Sequence, residues 1–306
     1  MGLLRRRAPG PEVPAWASVF TREQYGVFMA LVDAVLDARG VQRTSGDGFV
    51  QLSDAQDRRV LGLTNLAQLC LATDRHAWPE AVEGHFAALL DAPAQPPRPE
   101  AAEALPALRV KIWARADVPV EEPIISQAVA DDLLAVLTLA LPGCIANVRP
   151  PDAEGWGQPE SALWERALAN TSAAVILEPS PLALPGGIEV VFGFSDDMFT
   201  ASVALWPEAL AGPLGPAGAL VAVPNRHTVA VHAVRHMGVL EGMRHLVPLI
   251  ARQYGDGPGS ISDQLYWAKD GELTRISTTV DGDWVSVTPP MDFVAAVNAL
   301  PAPETS

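Results

Sequence analysis

Four of the six histidines in this chain fall within nineteen residues: His227, His232, His236 and His245. Neutral imidazole binds zinc well, and three such ligands with one open position make a catalytic centre. The neighbouring carboxylates Asp196-Asp197 could complete that site or take part in acid–base chemistry. These residues define one reading, a metal-dependent hydrolase. Their spacing argues against it. His227 falls in a turn and His232 on a strand, and nine residues of helix would set His236 and His245 on opposite faces. No HExxH pattern is present. Asp196-Asp197 also reads as a polar turn between strands, and Asp131-Asp132 as the start of a helix, whose positive end favours carboxylates. The expectation is therefore no metal centre, no cofactor and no catalytic set.

The other reactive side chains point the same way. Cys144 follows Pro142-Gly143, so its thiol could be exposed, but a nucleophilic cysteine needs a base that lowers its pKa. Cys70, inside Leu66-Ala67-Gln68-Leu69-Cys70-Leu71, reads as core. Two cysteines without CxxC spacing build no zinc cluster and fit a reduced cytoplasm. Ser260, in Gly257-Pro258-Gly259-Ser260, lacks the GxSxG elbow. Neither GxGxxG nor a Walker A lysine occurs, which argues against dinucleotide and P-loop chemistry. Of eight tryptophans, Trp156 falls in a loop, Glu154-Gly155-Trp156-Gly157-Gln158-Pro159, and is the expected binding anchor. Trp267 and Trp284 fall on strands and are expected to pack.

The elements that carry these residues belong to a chain of 306 residues with 21 Lys and Arg against 36 Asp and Glu, a net charge of −15. Such a balance opposes binding to nucleic acid or to an anionic membrane, both of which need clustered cations. Arg5-Arg6-Arg7 is the one basic run, and Ala8-Pro9-Gly10 after it breaks any secretory signal. The most apolar stretch, Leu133 to Leu141, is too short to span a bilayer.

Residues 1–20 show no period and read as a loose arm. Thr21 and Gln24 have capping-box spacing before a helix whose apolar face is Val27, Phe28, Leu31, Val32, Val35 and Leu36. A short strand at 49–52 and helices at 61–72 and from Pro79 complete a helical region, 1–91. Residues 92–106 hold five prolines and read as a stiff connector. In the third part, 107–306, Leu108 to Trp113 alternates as a strand. Helices are expected near 131–141 and 160–174, with a Pro/Gly-rich loop at 179–187. Strands follow at 188–194 and 198–205, then a helical turn at 207–210. A hairpin spans 219–234, and a helix 239–254. A second hairpin turns at Lys269-Asp270-Gly271, a further strand covers 284–287 and a last helix 291–300. Short strands joined by tight turns favour antiparallel pairing. The predicted class is α+β: antiparallel sheets of hairpins with helices packed on one face.

The hairpin Leu220-Val221-Ala222-Val223-Pro224 and Thr228-Val229-Ala230-Val231-His232-Ala233-Val234 resembles one in the YtpQ-like bacterial family, a domain of unknown function. Trp164 with Ala167-Leu168-Ala169-Asn170 before it fits the same order, as does Leu265-Tyr266-Trp267 with Asp270-Gly271 after it. The resemblance covers roughly 130–280 and carries no catalytic motif. It implies a cytoplasmic bacterial α+β protein of unassigned biochemistry.

These observations favour a non-enzymatic interaction protein, adaptor or immunity-like. Its acidic surface would steer a basic protein partner, and Trp156, Asp196 and Asp197 are the candidate contacts. The alternatives are the hydrolase built on Asp196, Asp197 and the histidines, or a small-ligand-binding module.

Overall fold

Thr21 starts the first helix by the predicted reciprocal cap. Its backbone N–H donates to Gln24 Oε1 (2.8 Å), and the Gln24 N–H donates to Thr21 Oγ1 (3.3 Å). The computed structural model describes residues 13–53, 59–91, 98–118, 123–142, 144–282 and 284–302. The chain divides into two compact units, Met1–Gln95 and Pro96–Ser306. Arg5-Arg6-Arg7 and residues 92–97 of the expected connector lie outside the described residues.

The first unit contains α1 (Arg22–Ala38), the antiparallel sheet β1 (Arg43–Ser45), β2 (Phe49–Leu52) and β3 (Val60–Gly62), then α2 (Thr64–Ala72) and α3 (Trp78–Asp91). Phe28, Val32 and Leu36 of α1 pack with Val50, Leu66, Cys70, Trp78, Val82 and Phe86. The segment before Thr21 is not a loose arm from Val13 onward. Ala15–Ala17 form a 3₁₀ turn, and Ala17 and Phe20 are buried in the same core.

The second unit begins with α4 (Ala101–Ala107), β4 (Leu108–Ala114), β5 (Ser126–Ala128), β6 (Leu133–Leu141), β7 (Cys144–Asn147), α5 (Pro150–Gly155) and α6 (Glu160–Ala174). Then follow β8 (Glu178–Leu184), β9 (Ile188–Phe194), a 3₁₀ segment (Thr200–Leu205), α7 (Glu208–Ala211), β10 (Ala219–Asn225) and β11 (Thr228–Ala233). The unit closes with α8 (Val239–Asp256), β12 (Leu265–Lys269), β13 (Glu272–Asp281), β14 (Trp284–Thr288) and α9 (Met291–Asn298). A large sheet runs β14-β13-β12-β10-β11-β9-β8, and a smaller one runs β4-β6-β5 with β7 also on β6. Every pairing is antiparallel. The fold is α+β.

Alternation within the strands sends side chains into two cores. Leu220, Ala222, Phe192 and Ile276 meet Met243, Leu246 and Ile250 of α8 and Phe293 of α9 on one face of the large sheet. Val221, Val223, Val229, Val231 and Tyr266 enter the second core, with Val110, Ile112 and Leu137 of the smaller sheet and Leu163 and Ala167 of α6. The hairpin turn between β12 and β13 places Asp270 at φ 52° and Gly271 at φ 83°, the two positive values that a type I′ turn requires. Gly218 (φ +79°) has a different reason: a Cβ there would stand 2.2 Å from the Ala268 carbonyl oxygen.

Several segments differ from expectation; residues 60–62 form β3, so the helix expected over 61–72 begins only at Thr64. Residues 133–141 are a strand, buried on both faces between β4 and β5, so no alternation marks them. Asp131-Asp132 therefore caps no helix. Residues 178–184 form an edge strand rather than a loop, an edge being where proline is tolerated in a sheet. Residues 200–205 coil as a 3₁₀ segment instead of a strand. Asp197 initiates it, accepting the Phe199 N–H on Oδ1 (2.7 Å) and the Thr200 hydroxyl on its carbonyl (2.7 Å). Finally, residues 101–107 of the expected connector region are helical, because Ala101-Ala102-Glu103-Ala104-Leu105 are strong helix formers and Pro106 falls in the last turn.

Candidate functional site

The residues nominated from sequence separate in the second unit. Asp197 is occupied in the turn that leads into the 3₁₀ segment, where it accepts from Phe199 and Thr200, and its N–H donates to Ser195 Oγ (3.1 Å). Asp196 lines a hollow of about 330 Å³ with Glu178, Asn225, His227 and Gln253. Both imidazole nitrogens of His227 are engaged. Nε2 accepts from Arg226 Nε (2.9 Å), which leaves the proton on Nδ1, donated to the Ser195 carbonyl (3.1 Å). Burial, reinforced by Arg226, holds His227 below the ordinary histidine pKa.

His232 and His236 line another hollow, of about 230 Å³, with Glu189 and Arg235. His232 Nδ1 lies 2.7 Å from the Glu189 carbonyl, and burial lowers its pKa. His236 Nδ1 accepts the Gly238 N–H (3.2 Å), so its Nε2–H donates to the Gly187 carbonyl (3.1 Å). His245 is exposed on α8. Among the described residues, no group of three His, Cys, Asp or Glu side chains could hold a metal ion.

Asp132 directly precedes β6 and bonds to Tyr266 of the second core. Its Oδ2 accepts the Tyr266 hydroxyl (3.0 Å) and lies 3.5 Å from Arg275 Nη1. The Tyr266 oxygen is also 2.6 Å from Ser262 Oγ. Ser260 is no nucleophile in waiting, since its hydroxyl donates to the Tyr254 carbonyl (2.7 Å). Burial pushes the Cys70 thiol up to about 11.

Two tryptophans exchange their expected places. Trp156 is buried at the end of α5, and its indole N–H donates to the Pro99 carbonyl (3.1 Å). It fastens the incoming segment to the core and offers no surface. The glycines on either side made it read as a loop residue, but α5 turns it inward. Trp267 packs as expected, donating to the Ala217 carbonyl (2.7 Å). Trp284, by contrast, is 81 % exposed. The signal was present in Trp284-Val285-Ser286-Val287-Thr288: Val285 and Val287 share the core face, so Trp284 shares the solvent face with Ser286 and Thr288.

β14 is the last strand of the large sheet and pairs with β13 as Asp281↔Trp284, Thr279↔Ser286 and Ser277↔Thr288. A terminal strand presents unpaired backbone donors and acceptors along its outer side. The opposite edge, β8, carries Pro179 and Pro181, whereas β14 has no proline between Trp284 and Thr288. Met291, at the start of α9, is 80 % exposed. Asp281 and Asp292 flank these apolar side chains in sequence, and both are exposed.

This second unit is an α+β body with two antiparallel sheets, one of them ending in a proline-free, Trp-bearing terminal strand. Comparison of the chain with protein-family models, curated proteins and solved structures returns no match. Among the described residues, no helix is long and apolar enough to cross a membrane.

Proposed function

We propose that this chain is a non-enzymatic interaction protein, adaptor or immunity-like, that receives an extended segment of a basic partner along β14. The exposed Trp284 on a proline-free terminal strand carries this reading. Strand addition takes its affinity from main-chain hydrogen bonds and its specificity from alternate side chains. An indole at the surface supplies the type of anchor that dominates interfaces. The net charge of −15, with Asp281 and Asp292 beside the apolar positions, suits a segment in which apolar residues alternate with Lys or Arg. Trp284 thus takes the role expected of Trp156. The YtpQ-like resemblance and a reduced bacterial cytoplasm are compatible with this assignment.

The test uses the full chain and its Trp284→Ala variant as baits in the native host, followed by purification of any protein captured by the first alone. The expected partner carries a basic strand-forming segment. Its on-rate falls with salt, because exposed charges are screened beyond about 8 Å at physiological ionic strength. A partner that binds both baits equally, or with a salt-independent on-rate, overturns the assignment.

A second reading, a small-ligand-binding module, has its own observation. A cleft of about 840 Å³, lined among others by Gln127, Asp131, Leu168, Glu208 and Arg275, is in the size range of ligand pockets. Ligand-induced stabilisation that disappears in Leu168→Trp, a substitution that fills the cleft, would favour it.

A further inference from the structure

Arg39, Arg43, Arg75, Arg98, Arg149, Arg252 and Arg275 each meet a carboxylate within 4 Å. Lys111 and Arg226 are among the cations that do not, in a chain with 36 acidic residues. Both are half-buried. Among the described residues neither forms an ion pair.

The fold brings these two cations together and holds them. Lys111 is central in β4, and its ammonium lies 4.5 Å from the centroid of the Trp113 ring on the same strand face. Arg226 occupies the turn between β10 and β11. The 3₁₀ segment ties the two elements together: Ser202 Oγ donates to the Val110 carbonyl (2.7 Å), and the Ala201 N–H donates to the Arg226 carbonyl (3.4 Å). The Arg226 backbone N–H donates to the Gly259 carbonyl (3.0 Å). Its side chain lies against that same glycine, where a Cβ would come within 2.7 Å of Arg226 Cδ. With Nε engaged on His227, the side chain is oriented before any ligand arrives, and its terminal Nη groups have no protein acceptor among the described residues.

The remaining donors agree. The Lys111 ammonium has no hydrogen-bond acceptor among the described residues, and the buried indole N–H of Trp113 has none either. Burial, and then the nearby Arg226, bring the Lys111 pKa down to about 8. A guanidinium fork recognises paired anionic oxygens, and an ammonium adds a compact point charge. Two fixed positive charges without a counter-charge call for an anion that brings two negative ones.

We propose that Lys111 and Arg226 form a binding site for a small dianion of the phosphate class, with the Arg226 fork and the Lys111 ammonium on its oxygens.

The chain has two lysines, Lys111 and Lys269, so ¹³C labelling of the lysine ε-carbons resolves the site directly in the full chain. Inorganic phosphate, titrated at constant ionic strength against chloride, is expected to shift the Lys111 signal and raise its pKa while leaving Lys269 unmoved. Calorimetry is expected to show binding weakened at least tenfold in both Lys111→Met and Arg226→Gln, each first checked for native circular dichroism. An unmoved Lys111 signal overturns the proposal, as does phosphate binding that survives both substitutions. Malonate bound more tightly than phosphate overturns the assignment of ligand class. The lysine titration needs no variant, so it decides the question even if a substitution prevents folding.

Discussion

Tyr266→Phe removes one oxygen from a buried hydrogen-bond network of the second unit. Tyr266 is fully buried, and its hydroxyl joins Ser262 Oγ at 2.6 Å to Asp132 Oδ2 at 3.0 Å. The ring itself is retained, so packing against Val221 and Val223 is conserved and no cavity larger than one oxygen forms. A hydrogen bond to a charged group contributes about 1.5–3 kcal/mol. The Asp132 side chain is 28 % exposed and keeps Arg275 at 3.5 Å, so water and the guanidinium compensate in part. The expected loss is about 2 kcal/mol. For a folding unit of this size that corresponds to a lowering of Tm by about 4–8 °C. Urea denaturation followed by near-ultraviolet circular dichroism measures the loss, and Asp132→Ala supplies the second arm of a double-mutant cycle. In that background Tyr266→Phe is expected to cost at least about 1 kcal/mol less, because directly bonded groups couple. A loss under about 0.5 kcal/mol, or an identical loss with and without Asp132, would refute the account of this network. The same environment raises the Tyr266 pKa, by burial first and by the Asp132 charge after it. Spectrophotometric titration should accordingly show one of the three tyrosines resisting ionisation until the protein unfolds.

Lys111 has a pKa of about 8 in the folded chain against 10.5 ordinarily. The unfolded state therefore binds more protons between those values, and this residue makes stability rise with pH there. Comparing wild type with Lys111→Met at pH 7 and pH 9.5 without phosphate should show the variant gaining less between the two pH values; equal gains would contradict the burial of that ammonium. Gly218→Ala should destabilise by more than about 1 kcal/mol, since it adds a positive-φ penalty to a 2.2 Å approach to the Ala268 oxygen; a neutral result in thermal denaturation would mean the β10 entry can shift. Alkylation of the native protein should modify half-buried Cys144 before Cys70, which is fully buried with its thiol pushed up to about 11; mass spectrometry that finds Cys70 modified first would show that the first unit opens readily.

Features decided by neighbours in sequence were legible in the residues. The Thr21 and Gln24 cap, the Asp270-Gly271 turn, the strand 108–113 and the hairpin 219–234 all depend on contacts within a few positions, so their residue types announce them. Other features depend on what the fold places alongside. Residues 133–141 lose the alternation of a strand because both faces are covered, and they then look like a buried helix. Pro179 and Pro181 argue against a strand until one knows that β8 lies at an edge. Trp156 reads as a loop residue, and only the direction of α5 turns it inward, whereas the alternation of Trp284 with Val285 and Val287 already sets its indole on the solvent face.

The histidines are close along the chain but set apart in the fold: His227 lies in the turn before β11, His232 on β11 itself, and His245 is exposed on α8. Lys111 and Arg226, by contrast, carry no mutual signal in sequence. Their partnership arises because Ser202 and Ala201 bind the backbones of two separate sheets, and charge acts across space without regard to the order of residues.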